Sequence, residues 1–140
     1  MRTDVKRRGW TISAEGNDLA DRFLESVFFT GNGRMGARGY PAYRPIRRPL
    51  DAGLFLAGFY DRISDSTELT DFVNLPTPIW YQIRLNGRIP AIPSHLSRAL
   101  DLRTGLLTFR YRLSIADDWV DVQEQRFFSL AKPSFLFQRL

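Results

Sequence analysis

The 140-residue sequence contains no cysteine and a single histidine, His95. These absences exclude a disulfide framework, a thiolate zinc centre and a cysteine nucleophile, and they leave an oxygen cage as the one metal site still open. Lysine is nearly missing too: only Lys6 and Lys132 occur, so arginine carries almost all of the basic side of a formal net charge of +5. No stretch approaches the roughly 18 apolar residues of a membrane span, and the N-terminal "MRTDVKRRGWTIS" holds charge but no apolar core. The chain therefore reads as soluble and cytoplasmic, with no membrane partner. Its apolar share of 44% suits a hydrophobic core rather than disorder, and its length suits one such core.

What is present has a period of two. "GLFLAGFYD" (53–61), "WYQIRL" (80–85), "RIPAI" (88–92), "LLTFRYRLSI" (106–115), "WVDVQEQRFF" (119–128) and "SFLFQRL" (134–140) read as short strands between turns. In the fourth, Leu107, Phe109, Tyr111, Leu113 and Ile115 alternate with Thr108, Arg110, Arg112 and Ser114, which predicts one apolar and one wet face. Asn86-Gly87 signals a type I′ hairpin turn, and "DLRTG" (101–105) and "ADDW" (116–119) supply two more turns. The one helix candidate is "NDLADRFLESVFF" (17–29), with Asn17 or Asp18 as N-cap and Leu19, Phe23 and Val27 as its apolar stripe. Prolines 41, 45 and 49 forbid a helix through "PAYRPIRRPLDAG" (41–53), which reads as an extended surface crossing. Short strands joined by frequent turns predict an all-β antiparallel sandwich with at most one short N-terminal helix.

The spacing Gly31-x-Gly33-x-x-Gly36 matches the phosphate-cradling dinucleotide fingerprint. That motif needs a helix starting at its last glycine, and "ARGYPAYRP" follows instead, so no helix N-terminus is available to a pyrophosphate. The glycines call for a structural explanation, a tight turn, with Arg38 in an internal ion pair.

Other chemistry is sparse. His95 lies in "IPSHLSR" with no nucleophile elbow in the chain, and reads as a surface histidine. "DRISDSTELTD" (61–71) lacks the glycine and final glutamate of a calcium loop. Most acids sit in turns or on polar strand faces (Asp51, Asp101, Asp117, Asp118, Asp121), and Glu25 in "FLESVFF" is the one carboxylate in an apolar setting, where it is expected to cap or to pair with an arginine. No catalytic residue, metal ligand or cofactor site is assigned. Two binding roles stay open as alternatives. One is a carbohydrate-binding module using Trp10, Trp80 and Trp119. The other is a nucleic-acid binder using the scattered arginines, although Phe109 and Tyr111 should face away from Arg110 and Arg112.

The order of motifs supplies more. "ESVFFTGNGRMGARG" (25–39), "GLFLAGFYD" (53–61), "VNLPTP" (73–78), "IRLNGRIPAI" (83–92), "RALDLRTGLLTFRYRL" (98–113) and "RFFSLAKPSFLFQR" (126–139) together resemble the N-terminal domain of glycoside hydrolase family 65, the family of maltose, trehalose and kojibiose phosphorylases and acid trehalases. Phe55, Thr77-Pro78 and Phe109 depart from its usual pattern. The resemblance implies a β-sandwich of the super-sandwich, galactose mutarotase-like type across 1–140, expected to be the first half of that domain and to stand ahead of a catalytic α/α barrel that this chain lacks. It implies a non-catalytic role, packing on that barrel and supporting a homodimer, with edge-strand self-association as another form of assembly. The parent enzyme would be a phosphorylase or glycosidase acting on an α-glucoside disaccharide, with inorganic phosphate as a substrate if it is a phosphorylase. Asn32, Arg34 and Arg38 are the candidates for an active-site rim, because arginine suits oxygen-rich ligands and glycine backbone allows close approach.

Overall fold

The computed structural model describes residues 4–16, 22–43, 53–62, 70–91, 93 and 95–140. Eleven strands and one helix are formed among them. The strands are β1 (Val5–Arg8), β2 (Thr11–Gly16), β3 (Thr30–Gly31), β4 (Met35–Ala37), β5 (Leu54–Leu56), β6 (Tyr60–Arg62), β7 (Thr70–Phe72), β8 (Leu96–Asp101), β9 (Leu106–Ile115), β10 (Asp118–Phe128) and β11 (Leu136–Arg139), and the helix α1 spans Arg22–Val27. A six-stranded sheet runs β1-β2-β8-β9-β10-β11, a three-stranded sheet β3-β4-β5, and β6 pairs with β7. Every pairing is antiparallel, as expected for an all-β sandwich.

Alternation on β9 builds the core. Leu107, Phe109, Tyr111 and Leu113 are buried while Arg110, Arg112 and Ser114 are exposed. Register carries this inner face across the sheet, placing Leu107 beside Leu100, Tyr111 beside Leu96 and Val122, and Leu100 beside Ile12. Leu24 and Phe28 from the α1 region, Tyr43, and Tyr81, Ile83 and Leu85 cover that face. A second cluster joins Ala37, Tyr40, Ala42, Leu54 and Ile79 to Phe128 at the end of β10. Phe109 and Tyr111 thus point inward and the neighbouring arginines outward, which removes the stacked-base platform considered for nucleic acid.

Several expectations change in detail. Helix α1 occupies Arg22–Val27 within the expected 17–29 segment, and Asn17, Asp18 and Leu19 lie outside the described residues. Its buried side is Leu24 and Glu25, whereas Phe23 is exposed, because the helix is short and turns into β3 directly after Phe29. The 53–61 strand divides into β5 and β6 at Gly58, whose φ of 81° breaks the extended backbone. Among the described residues of 80–92 no two ladders form, and Leu85 bridges Arg88 around an Asn86-Gly87 turn with φ of 48° and 76°. That turn has the positive φ at both positions that type I′ requires. The expected surface crossing begins inside the protein, where Pro41, Ala42 and Tyr43 are buried, and its continuation at 44–52 lies outside the described residues. The same holds for 63–69 of the acidic loop. Among the described residues, no helix is long and apolar enough to cross a membrane.

Candidate functional site

The fingerprint glycines form the β3–β4 hairpin, with Thr30 paired to Ala37 and Gly31 to Gly36. Asn32 closes the turn, its Oδ1 accepting from the amides of Arg34 (3.1 Å) and Met35 (3.0 Å), and Gly33 takes the left-handed φ of 84° the turn demands. These amides are the donors a bound phosphate would need, and the asparagine already occupies them. Asn32 Nδ2 reaches outward to donate to the carbonyls of Ser129 (2.7 Å) and Pro133 (3.0 Å), locking the hairpin onto the β10–β11 loop.

The three rim candidates do not converge. Asn32 is consumed by the turn and the lock. Arg38 is half-buried: its amide donates to Gly53 O (2.9 Å) and its Nη1 lies 4.0 Å from Glu25 Oε2. Glu25 is buried, so the apolar-flanked carboxylate does pair with an arginine. Gly39 explains the next constraint, since a Cβ there would fall 2.3 Å from Phe28 Cβ while its amide donates to Glu25 O at 2.8 Å. Arg34 alone is exposed, at the margin of an apolar hollow of about 580 Å³ formed by Phe29, Met35, Phe55, Ala57 and Phe72. Phe55 is the hub of the hollow's rings, 6.3 Å from Phe29 and 5.9 Å from Phe72, and Tyr60 extends the row at 5.0 Å from Phe72. Phe29, Tyr60 and Phe72 are each exposed.

A buried polar centre lies beneath, one that composition alone did not disclose. Glu124 and Arg126 continue the inward face of β10 after Val120 and Val122, and both are fully buried. Arg126 Nη2 donates to the carbonyls of Arg38 (2.9 Å) and Tyr40 (2.7 Å), and its guanidinium lies over the rings of Tyr40 and Phe109. Glu124 accepts from the Ala42 amide (2.9 Å) and the Tyr81 hydroxyl (3.3 Å), and Tyr81 shares a 2.6 Å hydrogen bond with Tyr111. Burial raises the Glu124 carboxyl above its ordinary range, opposed by Arg126 and these donors. Burial likewise pushes Tyr81 and Tyr111 up, with Glu124 adding to both. Thr77, one of the departures from the family pattern, has a defined place: its Oγ1 accepts from Tyr40 O–H at 2.7 Å and from the Ile79 amide at 3.2 Å. The signal for this centre was present in the alternation, because position 124 has the same parity as Val120 and Val122.

His95 is exposed, beside Ser97 on the outer side of the main sheet. Among the described residues, no group of three or more histidine, cysteine or acidic side chains is placed to hold a metal ion. Trp10 and Trp119 stand at opposite ends of the six-stranded sheet, before Thr11, which is level with Asp101 and Leu106, and opposite Ser114 respectively. They cannot form one platform with Trp80.

Fold and geometry together define an antiparallel β-sandwich domain whose glycine hairpin is locked to its main sheet and braced from below by a buried charge pair. Residues 14–140 match the glycosyl hydrolase family 65, N-terminal domain, and the chain belongs to that family. It is also similar to a trehalose 6-phosphate phosphorylase of Lactococcus lactis subsp. lactis (strain IL1403), 26% identical over 123 residues, covering 80% of this chain and 16% of the relative. The chain thus spans about one sixth of the length of that protein.

Proposed function

We propose that this chain is the non-catalytic β-sandwich portion of an α-glucoside phosphorylase or hydrolase, packing on a catalytic helical barrel and supporting dimerisation. The observation that carries the reading is the aromatic hollow. Phe29, Phe55, Phe72 and Tyr60 form a connected row of rings on one side of the small sheets, next to the hairpin that bears the family motif. A contiguous exposed apolar surface of this kind is the mark of an interaction site, a docked protein surface among them. We assign that contact to the barrel, with Arg34 on its margin as the rim residue and Asn32 and Arg38 holding the loop that presents it. Family membership and the small share of the Lactococcus phosphorylase that the chain spans support this reading. The parent enzyme would then cleave an α-glucoside such as trehalose 6-phosphate, with inorganic phosphate as co-substrate if it is a phosphorylase.

The experiment is a turnover assay of the purified chain with maltose, trehalose and trehalose 6-phosphate, with and without inorganic phosphate. No sugar phosphate and no free glucose should form. Measurable turnover by the chain alone would overturn the non-catalytic assignment.

A further inference from the structure

We propose that the outer face of the six-stranded sheet binds a neutral oligosaccharide lengthwise along β10, between an aromatic platform at Trp119 and another at Phe127 and Phe137. The outward residues of β10 run Trp119, Asp121, Gln123, Gln125, Phe127. At a rise of about 3.3 Å per residue this track is about 26 Å long, enough for several sugar rings. A groove of about 620 Å³ runs over its middle, bounded by His95 and Ser97 on one side and by Arg110, Arg112, Asp121 and Gln123 along its floor.

Each polar group on the track is held by a cross-strand neighbour. Arg112 Nε and Nη2 donate to Asp121 Oδ1 (2.6 Å) and Oδ2 (2.8 Å), and Arg110 Nε donates to Gln123 Oε1 (3.0 Å). Arg139 donates to Gln125, which in turn reaches Thr108 at 3.5 Å. These contacts use only part of each group's capacity: a guanidinium carries five N–H donors and a carboxylate about four lone-pair sites. Donors and acceptors therefore alternate along the groove on side chains already fixed in place, which lowers the ordering cost of binding. A hydroxyl is itself both donor and acceptor, so a sugar matches this alternation. Of the described arginines on this face only Arg112 is neutralised by a carboxylate, so a polyanion is the competing ligand, and salt dependence separates the two.

The two ends supply stacking surfaces. Trp119 is 60% exposed, propped on one side by the Arg112 guanidinium 4.3 Å from its ring. At the other end Phe127 stacks on Phe137 at 5.1 Å with 12° between planes, and Phe135 extends the stack at 6.1 Å. Rings of this kind offer apolar area to the faces of sugar rings at little cost in conformational entropy.

The test is calorimetric titration of the purified chain with maltoheptaose, cellohexaose and laminarihexaose, and with a single-stranded oligothymidylate. At least one neutral glycan should bind saturably, with affinity unchanged between about 50 and 200 mM salt, where a phosphate-driven contact would weaken steeply. Trp119→Ala and Asp121→Ala should each lower that affinity about tenfold or more, equivalent to about 1.4 kcal/mol. Trp80→Ala, on the segment covering the opposite face, should leave it unchanged and serves as the control for folding. Binding to none of the three glycans, binding only to the oligonucleotide, or glycan binding that survives Trp119→Ala would each overturn the proposal. The readout is binding alone, so it stands or falls separately from the turnover assay.

Discussion

Glu124 and Arg126 stand two residues apart on the inward face of β10, both without solvent exposure, with Oε1 3.6 Å from Nη1. A pair so placed repays its desolvation only through the hydrogen bonds around it, and removing one partner strands the other. Arg126→Met should therefore cost about 3–5 kcal/mol of stability. Glu124→Gln combined with Arg126→Met should cost less than the sum of the single changes, giving a coupling energy in a denaturant-based double-mutant cycle. The pH dependence follows from the raised Glu124 pKa. A carboxyl whose folded pKa lies above its unfolded one favours folding in acid and loses that contribution as pH rises through the folded pKa. Without Arg126 the folded pKa of Glu124 rises further, so the loss extends toward neutral pH and the Arg126→Met defect should shrink in acid. A defect independent of pH would refute the assignment.

Tyr81 and Tyr111 face the same carboxylate, and burial holds both phenols above their ordinary range. Above about pH 10 the unfolded chain releases these protons while the folded one retains them, so stability must fall as pH rises. Thermal melts from pH 8 to 11 should show a falling Tm. Tyr81→Phe should flatten that slope, because it removes one of the titrating groups. An unchanged slope in the variant would show that Tyr81 does not contribute.

Gly39 makes a prediction that rests on space rather than charge. Its Cα hydrogen points at Phe28, where a Cβ would meet Phe28 Cβ at 2.3 Å and the Phe28 carbonyl oxygen at 2.5 Å. Neither neighbour can yield, since Phe28 is fully buried and the Gly39 amide is tied to Glu25 O. Gly39→Ala should destabilise by about 2–3 kcal/mol, the upper part of the range for overpacked cores. Gly87→Ala, with nothing within 4 Å but a φ of 76°, should cost less, about 1–2 kcal/mol. Urea midpoints of the two variants in parallel measure the difference.

The contrast between these residues explains what a reader of the sequence can and cannot find. Strand β9 lies at 106–115 as its alternation predicts, and the Asn86-Gly87 turn has the predicted dihedral signs, because both depend on neighbours in sequence. Strand β8 is not legible in the sequence because Arg98 interrupts its apolar face and is nonetheless buried. Glu124 and Arg126 share the parity of Val120 and Val122, so their inward register is legible, whereas their partners at Tyr40, Ala42 and Tyr81, distant in sequence, are not. The glycine loop could be stripped of a phosphate role from its own flanks. Its actual anchor could not be seen, because the carbonyls that Asn32 binds are 97 and 101 residues away.

That anchor gives the last prediction. Asn32 uses its carbonyl oxygen inside the hairpin and its amide nitrogen outside it, so two substitutions separate the functions. Asn32→Asp keeps an acceptor for the Arg34 and Met35 amides but presents a carboxylate to the carbonyls of Ser129 and Pro133, where a donor is required. Asn32→Ala loses both functions without adding repulsion. If the lock onto the β10–β11 loop matters more than the turn, Asn32→Asp should be at least as destabilising as Asn32→Ala, each by about 1–3 kcal/mol. Hydrogen exchange should then accelerate in both variants at the Lys132 and Phe135 amides, which bond within that loop to Ser129 and Lys132. A near-native Asn32→Asp with unaltered exchange there would assign Asn32 to the turn alone and leave the loop to be held by β11.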